Sequence, residues 1–256
     1  MRKTFPALCA LAALSGLAFA ELPDADKAID RLGATLRDMR DVSCDVEVHT
    51  GDKQASGAIV LQYAHEKQNG VEKVVRKYIV ATKSNTADGM ALVKQVNDGK
   101  YLWVERKIVE TGEVKVRRRR IDPEGPVPGG FGIDWRKQMD SWRKKYDFKT
   151  LREDTFDGEK VVVVEGTRRA DAEPPPAGVD ITQPDRFVLS IAARDDFVRK
   201  ADFYVKVAVK QPDGGPPVRE VLLVSVRFLH VKLNEGLKTD AFDYLIPQGA
   251  EFTDVK

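Results

Sequence analysis

Met90-Ala91-Leu92-Val93-Lys94-Gln95-Val96-Asn97-Asp98-Gly99-Lys100-Tyr101-Leu102-Trp103-Val104-Glu105-Arg106 reads as two β-strands joined by a tight turn, and that reading sets the class of the fold. Both flanks, 90–96 and 101–106, are rich in Val, Leu and aromatic residues. Asn97-Asp98-Gly99 between them supplies the side chains that tolerate the positive φ of a hairpin turn. The same grammar extends in both directions. Upstream, Val42, Cys44, Val46 and Val48 alternate with Ser43, Asp45, Glu47 and His49, so one face of that strand is apolar and the other polar. Strands at 58–63 and 74–81 lie between, and one at 114–119 follows a Thr111-Gly112 turn. Connections this short leave no room for crossover helices, so the strands form an antiparallel meander.

Two segments change period. Ala28, Ile29, Leu32, Leu36 and Met39 recur at helical spacing among charged residues and predict an opening helix over 24–40. After a Pro- and Gly-rich break at 123–132, Asp134 caps a second helix in which Trp135, Met139, Trp142 and Tyr146 form one stripe. Its other faces, with Arg136, Lys137, Asp140, Arg143, Lys144 and Lys145, are expected to meet water. Strands resume at 148–156, turn at Asp157-Gly158, and continue at 161–167, 187–193, 203–209 and 221–233. A polar loop at 170–185, containing Pro174-Pro175-Pro176, and a turn region at 212–217 interrupt them. Phe242, Tyr244 and Ile246 alternate in the tail. The class is mainly β with two helices.

The N-terminus has the three parts of a secretory signal: Arg2 and Lys3, an apolar run over 8–17, and Ala18-Phe19-Ala20. The run falls short of the ~20 residues a membrane-spanning helix needs. Cleavage near Ala20/Glu21 gives a periplasmic protein, with 21–256 as one domain and no transmembrane segment. Cys9 lies too early for a lipid-attachment site and Cys44 alone remains, so no internal disulfide can form. Arg2 and Lys3 belong to the 42 Lys and Arg, while the first twenty residues hold none of the 40 Asp and Glu, so cleavage leaves the two signs equal. That balance argues against nucleic acid as a partner, since such proteins carry a clear basic excess. His49, His65 and His230 sit on separate segments without ligand spacing, and no nucleophile elbow or phosphate loop is present, which points to no metal, no cofactor and no catalysis.

Two short motifs resemble the bacterial outer-membrane lipoprotein carrier and sorting proteins, the LolA-like family. One is Asn97-Asp98-Gly99-Lys100-Tyr101-Leu102-Trp103-Val104, similar to the family's D-G-K-x-L-W strand after a turn. The other is Asn234 followed by Phe242-Asp243-Tyr244-Leu245-Ile246-Pro247-Gln248-Gly249-Ala250. The order of elements matches across essentially the whole chain after the signal, whereas the Pro-rich loop at 170–185, the run Arg117, Arg118, Arg119, Arg120 and a long final hairpin depart from it. The resemblance implies an unclosed antiparallel β-barrel, a half-barrel covered by the N-terminal and mid-chain helices, with a cavity for acyl chains. The candidate cavity residues are then Tyr101, Trp103, Trp135, Met139, Trp142 and Tyr146, with Leu32 and Leu36 from the first helix. The mid-chain stripe reads either as a lid over that cavity or as a helix packed permanently on the sheet, and Trp103 either as lining or as core. Arg117 to Arg120 read as a solvated strand end, or as a contact for anionic lipid headgroups or an acidic partner.

The function implied is a periplasmic carrier that shields the acyl chains of lipids or acylated proteins on the way to the outer membrane. An inner-membrane transporter and an outer-membrane receptor would be its partners. The alternative is an envelope sensor or scaffold that uses the same fold to bind a protein partner. Loss of ester turnover on changing His65 or His230 would mark a third reading, a hydrolase.

Overall fold

In a computed structural model, residues 22–255 are described apart from 52, 69–70, 87–88, 122–134, 174–182, 209–217 and 239. The signal segment, Asp134 and the Pro-rich loop's proline triplet lie outside the described residues. For 64–68, 71–73, 84–86, 135, 137 and 208 the description covers the backbone alone. Helix α1 (Ala25–Asp38) leads into β1 (Asp41–Thr50), β2 (Lys53–Gln68), β3 (Val71–Thr86), β4 (Gly89–Asn97), β5 (Tyr101–Ile108) and β6 (Val114–Arg120). Helix α2 (Trp135–Lys145) follows, then β7 (Tyr146–Phe156), β8 (Glu159–Arg168), β9 (Arg186–Ala192), β10 (Val198–Ala208), β11 (Val218–Leu233) and β12 (Glu251–Val255).

All twelve strands form one sheet in the order β12-β6-β5-β4-β3-β2-β1-β11-β10-β9-β8-β7. The sheet is not closed on itself, so β7 and β12 are its edges, as expected of an open half-barrel. Every pairing is antiparallel except that of β12, which runs parallel to β6. Bulges at Ser43/Asp45, Thr150/Arg152, Val198/Lys200 and Phe203/Tyr204 add the local twist that bends so wide a sheet.

Local chemistry explains the elements. Asp24 caps α1 by accepting from the Lys27 amide at 3.2 Å, and Asp26 and Arg37 complement the helix dipole at its two ends. Asp157 and Gly158 both take positive φ, 49° and 79°, the pair of values that closes the two-residue β7–β8 hairpin. Strands β2 and β3 run for 16 residues each, far past the short spans expected at 58–63 and 74–81. Apolar alternation marks only their covered part, and a hairpin ladder continues with polar side chains. Tyr146 opens β7 and is not the last turn of α2. The alternating stretch 242–246 is not a strand, and the final strand lies further on, at β12.

Register separates the two faces. Val42 is level with Leu61, Leu61 with Tyr78, Tyr78 with Asn97, Asn97 with Leu102, and Leu102 with Arg119. Val42 packs with α1 in the main core, so all of these residues share the inner, helix-covered face. The main core draws on α1, α2, β1, Tyr63 of β2 and β7 to β11, and Ile59 and Leu61 of β2 pack against it as well.

Candidate functional site

Over β7 to β11 the inner face is filled by the protein itself. Leu32, Leu36, Met139, Trp142 and Tyr146 are all fully buried. The Trp142 ring stacks on Phe187 with centroids 4.2 Å apart, and Phe203 and Tyr146 lie at 6.0 and 6.4 Å from it. Tyr146 donates its hydroxyl to the Pro184 carbonyl at 2.5 Å. Gly166, opposite Phe187, makes the stack possible, because a Cβ there would collide with the Phe187 ring. These five side chains therefore pack as core, with α2 seated on the sheet. The side chain of Trp135 lies outside the described residues.

Arg136 corrects the expectation that every charged residue of α2 meets water. Its guanidinium lies 3.6 Å from the Tyr63 ring centroid and donates to the carbonyls of Leu36 (2.6 Å) and Met39. It thus satisfies two orphan carbonyls at the end of α1 and joins both helices to β2. Arg143 pairs with Asp30 across the helices. Cys44 sits on the inner face of β1, where burial first and the Asp45 charge second push its thiol up to about 12. We expect the folded protein to resist thiol-specific alkylation at pH 8 and to be modified stoichiometrically in denaturant, measured by intact mass. Rapid native labelling would show that α1 does not stay seated on β1.

Beyond Tyr63 the inner face continues as a second apolar cluster on the arm formed by β2 to β6. Tyr78, Val80 and Leu102 are its buried members, with Ile59, Leu61, Val104 and Ile121 partly buried against them. Among the described residues, no side chain of α1 or α2 belongs to it. Gln95 lies on this face level with Val80 and Val104, and its Oε1 is buried without a hydrogen-bond partner. The Tyr78 hydroxyl is raised to about 12, chiefly by burial, with Arg119, Arg76 and a hydrogen bond to Asn97 opposing. Next along, the inner face of β6 carries Arg117 level with Val104 and Arg119 level with Leu102. Further out, a hollow of about 250 Å³ is lined by Arg106, Ile108, Thr111, Glu113 and Lys115.

Trp103 and Tyr101 fall on the other side of the sheet. They have the opposite parity to Leu102 and Val104, so the register places them on the outer face, away from both helices. There the chain after β11 returns as a strap. Asn234 anchors its start by accepting from the Arg40 and Asp41 amides at 2.7 and 3.4 Å. Phe242 is fully buried, and Tyr244 packs on Trp103 at 5.1 Å and donates to Glu105 at 2.7 Å. The indole of Trp103 donates to Asp98 at 2.9 Å. Arg118 lies over Tyr101, Trp103 and Phe252 at 4.7, 5.2 and 5.6 Å and pairs with Asp254 of β12. Arg118 is therefore a structural clamp and not part of a solvated strand end, whereas Arg117, Arg119 and Arg120 are exposed.

The sequence pattern missed both features for one reason: Leu102, Trp103 and Val104 are apolar on both faces, so alternation alone did not say which was inner. His230 and Asp45 pair on the outer face at 2.8 Å, and that hydrogen bond holds the imidazole above its ordinary range. Among the described residues, no three His, Cys, Asp or Glu gather closely enough to hold a metal ion, and no helix is long and apolar enough to cross a membrane.

No protein-family model matches the chain, and no curated protein matches its sequence. Solved structures do resemble it in shape. The MucA/MucB complex from Pseudomonas aeruginosa matches with a TM-score of 0.45 at 12% identity, over 87% of this chain and 61% of the matched one. LprF from Mycobacterium bovis matches with 0.44 at 13% identity, over 86% and 98%. A LolA superfamily protein from Nitrosomonas europaea matches with 0.30 at 13% identity, over 87% and 98%. The chain spans about three fifths of the MucB chains it resembles. The chain itself folds as one open sheet, antiparallel except at β12, with two helices against its inner face.

Proposed function

We propose that the protein is an exported, non-enzymatic binder that carries acyl chains of lipids or lipid-modified proteins through the cell envelope. The chains would lie on the inner face of the β2–β6 arm. The observation that carries this reading is the second apolar cluster, to which no described side chain of either helix contributes and four of whose members are only partly buried. Each methylene shielded from water contributes about 0.8 kcal/mol, so a dozen give roughly 10 kcal/mol. Holding a chain therefore needs no covalent chemistry, and release needs an acceptor that shields it equally well. An inner-membrane transporter and an outer-membrane receptor would supply and receive such cargo. Because α2 is fixed by the Trp142 stack, loading would occur at the arm and not by a swing of that helix. The signal-like N-terminus supports export.

The test is titration of the purified protein with a fluorescent fatty acid, together with mass spectrometry of lipid that copurifies. Saturable uptake is expected. Ile59→Glu and Val104→Glu should each weaken it by ten-fold or more, with the thermal transition checked to show that the fold survives. An unaltered protein that takes up nothing and carries no lipid would overturn the reading.

A further inference from the structure

We infer that the arm selects amphiphiles by the charge of their headgroup: Arg117 and Arg119 form the polar end of the acyl-chain site and recognise an anionic phosphate or carboxylate. This rests on the acyl-chain reading above and goes beyond it by naming the chemistry of the cargo's head. The four consecutive arginines of β6 divide by parity. Arg118 and Arg120 face outward with Trp103 and Tyr101, while Arg117 and Arg119 face inward, level with Val104 and Leu102. Residues level on adjacent strands bring their Cβ atoms within about 5 Å, so each inner arginine is rooted beside a member of the apolar cluster.

The described carboxylates nearby are assigned elsewhere. Strand β12 brings Glu251 level with Lys115, and Lys115 is held by Glu251 at 3.7 Å and Glu113 at 3.0 Å. The other acid of β12, Asp254, pairs with Arg118 on the outer face. Level with Arg117 and Arg119, β12 presents Thr253 and Val255, which carry no charge. Among the described residues neither arginine has a carboxylate partner. Two adjacent guanidiniums beside an apolar surface complement an acyl chain ending in an anion, and they disfavour a cationic head.

The experiment is calorimetric titration of the purified protein, below micelle-forming concentrations, with dodecyl phosphate, dodecanoate, dodecyl maltoside and dodecyltrimethylammonium. At low salt the two anionic ligands should bind roughly ten- to thirty-fold tighter than the maltoside, and added salt should narrow the gap, because these arginines are exposed. The ratio of phosphate to carboxylate affinity separates the two headgroup sources. The double variant Arg117→Gln/Arg119→Gln should lose the preference while still binding dodecyl maltoside, and Arg120→Gln on the outer face should keep it. Equal affinity for anionic and neutral ligands, or a preference that survives the double variant, overturns this inference and leaves the acyl-chain reading standing. Failure of all four ligands to bind overturns both.

Discussion

Trp142→Ala is expected to cost about 3–5 kcal/mol of folding stability, the range for deleting a large buried ring whose cavity cannot collapse. The ring is fully buried, stacks at 4.2 Å on Phe187, and lies among Phe203 and Tyr146. Phe187 in turn is backed by Gly166, so it has glycine on one side and indole on the other. Removing the indole leaves Phe187 unsupported and frees α2 from the sheet. For a chain of this size the midpoint of thermal unfolding should fall by about 10 °C or more. Trp142→Phe should recover part of the loss. Calorimetry and urea titration would both report it. A helix that merely rested over a cavity as a hinged lid would lose less than about 1 kcal/mol, and such a result would reverse the assignment of α2 as fixed core.

Most of the sheet was readable because one of its faces is buried. Alternation at Val42, Cys44, Val46 and Val48 marks β1, and turn residues at Asn97-Asp98-Gly99 and Asp157-Gly158 mark two hairpins. Where the environment is alike on both sides of a strand, alternation carries no sign. Leu102, Trp103 and Val104 are the clearest case: helix-side cluster and C-terminal strap each demand apolar residues, and only register with β1 through β4 tells them apart. The stripe of α2 gave the right buried face but not its occupant, since a core and a ligand both require large apolar side chains. Arg136 and Arg118 were misread as solvated because charge was visible in the sequence, while Tyr63 beneath Arg136 and Phe252 beneath Arg118 came from distant segments. Strand β12 escaped notice because all its side chains are exposed, so no buried face marks it in the sequence.

That pairing makes removal of residues 251–256 the second change of large expected effect. β6 would become an edge strand with a row of unpaired amides and carbonyls, a template on which another chain can add. Its short length and its arginines give some protection, but Val116 and the aromatic patch of Tyr101 and Trp103 lie beside it. Losing Phe252 and Asp254 also takes away two of the groups that hold Arg118 over that patch. The truncated protein is expected to form larger species in light scattering coupled to size exclusion, at concentrations where the full chain elutes as one smaller species. Tryptophan emission should shift to the red as Trp103 gains water. The Asp254→Ala variant is the control: an ion pair open to water adds little to stability, so it should leave the elution unchanged. If the truncated chain elutes at the size of the full chain with the same emission maximum, then β12 neither guards the β6 edge nor holds the outer-face aromatic cluster together.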